Sequence, residues 1–290
     1  MNRREFLVGA TSASLMSTTF AKESAQGLKV RFLGTGAADW NGKDERGEWR
    51  RWTSLLVEDA VLVDFTEQSV DLLPVGVRPE VIFYTHSHDD HYQPDIALKS
   101  GVKRVYVHES WAQGAREEFA AAAQKLGVAA PLVRALTFGE TVEEAGVKFM
   151  CVPANHATAR KGEHTGMYLI EKGDVRLLYA TDTGGIMAEA ARLVGIDIHI
   201  PGKPITALIM EATMGVGYED DCRIYTHTSV GAVARIVRVL NSTQRYLPRP
   251  NQKVYLTHMA RTLHGTQAEI EKAVPAPLYP AYDGLEIVLK

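Results

Sequence analysis

A cluster of metal-ligand side chains directly follows an apolar run, and this feature constrains the fold of the chain more than any other. Residues 81–85, Val-Ile-Phe-Tyr-Thr, predict a short buried strand, and residues 86–91 then read His-Ser-His-Asp-Asp-His. Loops at strand ends commonly carry functional groups. The candidate ligands in this loop are His86, His88, Asp90 and His91. One tetrahedral zinc ion cannot easily use all of them from so short a loop, whereas two neighbouring metal ions can share them.

The alternative is a polar turn that is rich in histidine by chance. The chain has 10 histidines in 290 residues, so three of them at this spacing beside a carboxylate favour a metal site. The motif His-x-His-x-Asp-His also resembles the signature of the metallo-β-lactamase fold superfamily. The resemblance implies that His86 and His88 bind a first metal ion, and that Asp90 and His91 bind a second.

Three more candidate ligands each follow an apolar, strand-like run: His156, Asp182 and His258. The resemblance implies that His156 completes the first metal site, that His258 completes the second, and that Asp182 bridges the two ions. Simpler alternatives are a hydrogen-bonded loop histidine for His156 and a helix cap for Asp182. The predicted metal ligands are therefore His86, His88, Asp90, His91, His156, Asp182 and His258.

Predicted strands and helices alternate along the chain from about Leu28. The whole chain is 46% hydrophobic and has no low-complexity tract. Residues 28–290 are long enough to form one large domain with a sizeable core. The resemblance implies an α/β fold, a four-layer αβ/βα sandwich with its metal ions at one edge of two sheets. It also implies that Asp64, at a predicted strand end, fixes a ligand histidine through its second ring nitrogen.

Residues 1–21 indicate an export signal and not part of the domain. Residues 2–7, Asn-Arg-Arg-Glu-Phe-Leu, resemble a twin-arginine motif, and small residues end at Ala21, where a signal peptidase could cut. An amphipathic start to the domain is the alternative. No other stretch approaches the roughly 20 apolar residues of a membrane span. We therefore expect a periplasmic mature protein that has no membrane segment and that receives its metal before export.

The formal net charge of −3 and the isoelectric point near 6.4 give no support for a nucleic-acid surface. A small-molecule substrate is the expected partner, and a homodimer is left open. The two cysteines are too few for a cysteine-rich zinc site. We expect Cys151 in the core and Cys222 in a polar loop, with a disulfide between them left open. Residues 41–52 contain no cysteine, so no additional structural zinc is expected.

The remaining motifs favour hydrolysis over redox chemistry. His88 stands where oxygen-reducing diiron members of the superfamily carry a glutamate, and Asp182 distinguishes the chain from true β-lactamases. Glu211 and His227 resemble the general-acid element of the transfer-RNA processing nucleases and cyclic phosphodiesterases. From Leu28 onward the chain resembles the cyclic-phosphate phosphodiesterases of phosphonate breakdown. Only 25 residues separate His156 from Asp182, which is room for a hairpin but not for the long arm of the nuclease.

These features predict a binuclear metal-dependent hydrolase, a phosphodiesterase whose substrate is small, with cyclic diesters among the candidates. A hydroxide shared by the two ions would attack phosphorus, and His227, oriented by Glu211, would protonate the departing oxygen. The predicted catalytic residues are His227, Glu211 and Asp90. Zn²⁺ is the first choice of metal, with Mn²⁺ and Fe²⁺ as alternatives. Candidate phosphate contacts are Arg50, Arg51, Arg160 and Lys161.

The sequence leaves two other functions open. A lactonase or another carboxylic ester or amide hydrolase could use the same hydroxide. A metal-dependent accessory or binding protein without catalytic activity is the third hypothesis.

Overall fold

The computed structural model describes residues 27–290, so the predicted export signal lies outside the described residues. Strands β1 to β6 are Leu28–Gly34, Ser54–Val57, Val61–Val63, Val81–Phe83, Arg104–His108 and Leu132–Leu136. Strands β7 to β14 are Thr141–Glu144, Val147–Pro153, Gly166–Lys172, Val175–Ala180, Ala207–Glu211, Val254–Thr257, Leu278–Pro280 and Glu286–Leu289. They form two seven-stranded sheets, in the order β14-β1-β2-β3-β4-β5-β6 and the order β13-β12-β11-β10-β9-β8-β7.

Helices cover the outer faces of both sheets. Helices α1 to α5 are Pro94–Lys99, Ala112–Leu126, Ala188–Val194, Val230–Ser242 and Gln267–Ala273, and short 3₁₀ helices cover Glu67–Leu72, Glu109–Trp111 and Cys222–Tyr225. Apolar side chains of α1 and α2 pack on the first sheet, and those of α3 and α4 pack on the second. A third apolar cluster lies between the sheets. This helix–sheet–sheet–helix arrangement confirms the predicted α/β sandwich.

The strand directions bring many chain segments to one edge of the sandwich. In the first sheet β3, β4, β5 and β6 pair in parallel, and in the second sheet β10, β11, β12 and β13 do so. Strand β8 has the same direction as β10 because each of them pairs antiparallel with β9. Side chains at the carboxyl ends of these strands therefore meet at a common edge, the usual position of ligand sites in such sheets.

Aromatic side chains join the two sheets directly beneath that edge. Phe83 of β4 is fully buried, and its ring stacks on Tyr106 and on Phe149, with centroid separations of 4.4 Å in both cases. Tyr168 of the opposite sheet meets the same ring edge-on at 5.4 Å. The Tyr168 hydroxyl also donates to the Tyr84 carbonyl at 2.8 Å. Contacts from both sheets thus fix the end of the strand that precedes the histidine cluster.

The segment between β1 and β2 is a loop with three tryptophans, which differ in role. Trp40 is buried, and its indole N–H donates to the Met259 carbonyl at 2.8 Å. This bond ties the loop to the residue after His258. Trp49 and Trp52 instead line a separate cavity of about 360 Å³ beside carboxylate and amide side chains.

The hairpin and the two cysteines are found as the sequence led us to expect. The segment between His156 and Asp182 is the β9–β10 hairpin, as its length predicted. Cys151 is buried and Cys222 is exposed, and both are free thiols. Within residues 27–290, every helix is too short or too polar to cross a membrane.

Replacing Phe83 with Ala should lower the free energy of unfolding by about 3–5 kcal/mol, the usual cost of removing a large buried aromatic side chain. Urea denaturation at fixed metal concentration measures this change. Val288→Ala is the control, because Val288 is 53% exposed on the edge strand β14. Equal losses for both variants would contradict the central position given to Phe83.

Candidate metal centre

The structure brings all seven predicted metal ligands together at the edge where the parallel strands end. The histidine cluster follows β4, His156 follows β8, Asp182 follows β10, and His258 follows β12. Asp182 and His258 have φ angles of 47° and 53°, and Asp64 after β3 has 54°. Residues other than glycine seldom adopt this left-handed conformation, and such strain often occurs at functional sites. These turns direct the side chains across the edge and not along the strand.

His86, His88 and His156 form the first group of candidate ligands. His86 Nε2 lies 3.0 Å from His88 Nδ1, and His156 Nε2 lies 3.3 Å from the same atom. Two nitrogens bound tetrahedrally to one Zn²⁺ at about 2.0–2.1 Å would be about 3.3 Å apart. Burial lowers the pKa of each of these three histidines, that of His86 most strongly. Neutral imidazoles are the form that binds metal, so the group fits one ion.

Asp90, His91 and His258 form the second group, and Asp182 lies between the two groups. Asp182 Oδ2 is 3.1 Å from His91 Nε2, while its Oδ1 is 3.3 Å from His258 Nε2 and 3.8 Å from His156 Nε2. Asp90 Oδ2 is 3.3 Å from His91 Nε2 and 3.5 Å from His258 Nε2. The Asp182 carboxylate therefore reaches ligands of both groups.

The ring nitrogens that face away from the cluster are fixed by protein oxygens. Asp64 is fully buried, and its Oδ2 lies 2.8 Å from His91 Nδ1, the contact that the family resemblance implied. The same carboxylate accepts bonds from the backbone N–H and the hydroxyl of Thr85, and that hydroxyl is 2.9 Å from His86 Nδ1. Thr213 Oγ1 lies 2.8 Å from His258 Nδ1. Such contacts fix the ring orientation and leave Nε2 to bind a metal.

Two buried nitrogen atoms show that the site fits metal ions. Among the described residues, His91 Nε2 and His258 Nε2 have no partner with hydrogen-bond geometry, although carboxylate oxygens lie within 3.5 Å of both. A neutral imidazole lone pair and a carboxylate repel each other, so their approach is favourable only with a cation between them. The cluster is therefore able to bind metal ions.

Electrostatics of the buried carboxylates lead to the same conclusion. Burial alone would raise the pKa of Asp182, but the imidazoles of His258 and His91 hold it well below its usual range. Burial opposes charge on His91, yet Asp182, Asp90 and Asp64 raise its pKa well above the usual value. Three carboxylates that share one imidazole require positive charge at this place, from protons or from a metal cation.

Glu211 and His227 form a pair beside the cluster. Glu211 is fully buried at the end of β11, and both of its oxygens lie 3.2 Å from His227 Nδ1. The Thr183 N–H donates to the same carboxylate at 2.5 Å, and the Thr213 hydroxyl donates to it as well. Burial opposes protonation of His227, but Glu211 raises its pKa to about 9. His227 Nδ1 is 3.9 Å from Asp182 Oδ1, so the pair adjoins the candidate metal site.

Several groups that fix the site were missed in the sequence. Thr85 and Thr213 have the contacts described above, and Glu163 accepts a bond from the Ser87 N–H at 2.8 Å between the two ligand histidines. The position of Thr213 could have been predicted from its spacing. In an extended chain residues 211 and 213 lie on the same side, so Thr213 is expected beside Glu211. The loop before Glu163 has no such alternation, so the sequence did not indicate where its side chain would lie.

The expected phosphate contact of Arg50 is wrong. Arg50 is only 5% exposed, and its guanidinium donates to the Thr35 hydroxyl and to the Ala281 carbonyl, both at 2.9 Å. It stabilises the loop after β1 and does not face the cluster. Arg51 pairs with Asp71 at 2.5 Å.

The other two candidate phosphate contacts lie in the loop after His156. Arg160 pairs with Glu118 at 2.8 Å and lies 3.4 Å from Glu163. Lys161 is exposed. Arg160 is thus engaged by protein carboxylates beside the histidine loop.

Residues 56–259 match the model of a family described as the β-lactamase superfamily domain. The chain belongs to the β-lactamase superfamily. One relative, a UPF0173 metal-dependent hydrolase of Thermofilum pendens, is 29% identical over 143 residues. That match covers 49% of this chain and 55% of the relative, so the chain aligns with about half of that protein's length.

Solved structures show the same superfamily fold over nearly the whole chain. A structure described as a new diphosphatase from the PhnP family is 20% identical, with a TM-score of 0.60, and the match covers 91% of this chain and 98% of that one. The short form of human tRNase Z is 15% identical, with a TM-score of 0.61 and coverage of 90% and 99%. At these identities the likeness establishes the fold alone.

Replacing Asp64 with Asn should weaken metal retention about 10–100-fold, the usual effect of removing a group that orients a ligand histidine. An amide keeps the size of the side chain but removes the charge that fixes His91. Titration with a competing chelator measures the effect. Asp174→Asn, at an exposed position in the β9–β10 turn, is the matched control and should retain metal as the unaltered protein does. Unchanged retention in Asp64→Asn would show that Asp64 does not support a ligand.

Proposed function

We propose that the protein is a binuclear metal-dependent hydrolase that cleaves a small phosphodiester. The observation that carries the proposal is the position of the Glu211–His227 pair beside two groups of ligands that share Asp182. His86, His88 and His156 would hold one ion, Asp90, His91 and His258 the other, and Asp182 would contact both. The named relative is described as a metal-dependent hydrolase, and one structural neighbour as a diphosphatase, which supports the assignment.

When bound, two divalent cations would supply a nucleophilic hydroxide at neutral pH and neutralise charge on the phosphoryl oxygens. The chain's own residues would then position the substrate and move the proton. Glu211 fixes Nδ1 of His227, so that Nε2 is the ring atom available to a substrate; no hydrogen bond of the described residues uses it. The charged imidazole would donate its proton to the oxygen that leaves phosphorus.

A comparison of substrate classes tests the reaction type. Bis(p-nitrophenyl) phosphate, a lactone and a chromogenic β-lactam would be assayed with the same metal-loaded protein. We expect phosphodiester hydrolysis to exceed the other two activities. Preference for the lactone would instead support a carboxylic ester hydrolase, and no turnover at full metal occupancy would support an accessory or binding protein.

Replacing His227 with Ala should lower turnover of the phosphodiester about 10²–10⁴-fold, the usual contribution of a general acid, and should leave metal content unchanged. Steady-state kinetics and elemental analysis of the same sample measure both quantities. His164→Ala is the control, because His164 is exposed and lies outside the candidate ligand groups. Loss of metal from His227→Ala would make His227 a ligand and would overturn its role as proton donor.

Elemental analysis also tests the proposed pair of ions. We expect about two metal ions per chain, as in other two-metal hydrolytic sites. Asp182→Asn should lower that ratio, because the amide removes the charge that both ions would share. Asp89→Asn is the matched control, since Asp89 lies in the same histidine loop but is exposed. A ratio near one in the unaltered protein after metal saturation would contradict a binuclear centre.

A further inference from the structure

An aliphatic cavity begins at His227 and extends away from the candidate metal centre. Its volume is about 420 Å³, in the lower part of the range of about 300–1,000 Å³ that is usual for small-molecule sites. His227 and Thr228 form one part of its wall, and α4 forms another. The catalytic pair and the cavity therefore share a residue, so a ligand in the cavity can contact His227.

Helix α4 shows why the cavity is apolar. Ala232, Ile236 and Val239 follow one another at intervals of four and three residues, so they lie on one face of the helix and line the cavity. From Ala232 to Leu240 the helix rises about 12 Å at 1.5 Å per residue. Ile224, from the 3₁₀ helix before His227, and Ile186, after Asp182, also line the cavity.

The chemistry of a hydrolytic step determines which part of a substrate would lie there. A water that has lost one proton to solvent bonds through its oxygen to phosphorus, and the bond from phosphorus to the leaving oxygen breaks with its electron pair on that oxygen. His227 gives a proton to the leaving oxygen and regains one from solvent. The products are a phosphomonoester and an alcohol. Because His227 must touch the leaving oxygen, the rest of the leaving group lies beyond His227 and not over the metal cluster.

We propose that this cavity is the leaving-group site and that the substrate is a phosphodiester with an aliphatic leaving group, an inference that rests on the proposed function. The lining favours aliphatic groups over nucleosides. Apart from the His227 imidazole, no aromatic ring is among the described residues of its wall, so a base would find no stacking platform. Besides the protonated His227, Arg235 is the single cationic side chain among those residues.

Binding of the alcohol products tests the cavity without catalysis. The methyl resonances of isoleucine would be followed by NMR while 1-alkanols from ethanol to hexanol are added. Affinity should rise about fourfold for each methylene, the value of burying one such group. Ala232→Phe should abolish this dependence by filling the cavity, and Ile224→Ser should weaken hexanol binding severalfold. Ala121→Phe is the matched control, because Ala121 is exposed on α2 and outside the cavity.

Hydrolysis provides the second readout. Methyl phosphodiesters of the same 1-alkanols vary the size of the aliphatic leaving group with little change in its acidity, and release of the 1-alkanol is measured. kcat/KM should rise about fourfold per methylene in the unaltered protein and in Ala121→Phe. In Ala232→Phe it should be independent of chain length. Circular dichroism checks that the variants are folded. If Ala232→Phe does not fold, Ile224→Ser tests the same cavity at a different lining residue.

The two readouts distinguish the two proposals. Chain-length dependence in both binding and hydrolysis supports the leaving-group site. Hydrolysis without dependence on chain length, together with absent alkanol binding, would overturn the aliphatic site and leave the phosphodiesterase intact. Alkanol binding without any diester hydrolysis would overturn the phosphodiesterase and the leaving-group role.

Discussion

The close approach of buried carboxylates and imidazole nitrogens is the constraint on which the rest of the site depends. Asp182 lies within 3.3 Å of His91 and of His258, and Asp90 within 3.5 Å of both. Such groups cannot remain together in a dry interior unless positive charge lies between them. This constraint explains the contacts of Asp64 with His91 Nδ1 and of Thr213 with His258 Nδ1. They orient each ring so that its lone pair faces the shared charge.

Neither sheet alone can build this site. The first sheet supplies the histidine loop and Asp64, whereas the second supplies the residues from His156 to His258. The relative position of the sheets therefore determines whether the two ligand groups meet. Phe83 packs against aromatic rings of both sheets, and Tyr168 donates across the interface to the chain just before His86. The packing of the core between the sheets therefore also determines the geometry of the ligand groups.

Much of this arrangement could be predicted because strands and ligands have local signals. The apolar run 81–85 and those before His156, Asp182 and His258 form strands β4, β8, β10 and β12, as predicted. Whether a polar side chain is buried is harder to predict from the neighbouring sequence. Arg50 and Arg51 are neighbours in the same polar segment, yet Arg50 is buried on the carbonyl of Ala281 while Arg51 pairs at the surface with Asp71. Their partners are distant in sequence, so composition could not separate them. The left-handed turns at Asp64, Asp182 and His258 likewise depend on tertiary packing.

His227 could act as a proton donor or as a metal ligand, and the two roles would have different effects on the contacts of Glu211. The His227 atom that approaches Asp182 is Nδ1, and this atom is already bonded to the Glu211 carboxylate. Binding an ion through Nδ1 would remove a partner from a carboxylate that is fully buried, which is costly. His227 also stacks on His258 with rings 12° from parallel and 5.5 Å apart. Proton donation through Nε2 needs none of these contacts to break. The geometry of Glu211 therefore favours a proton donor over an eighth ligand.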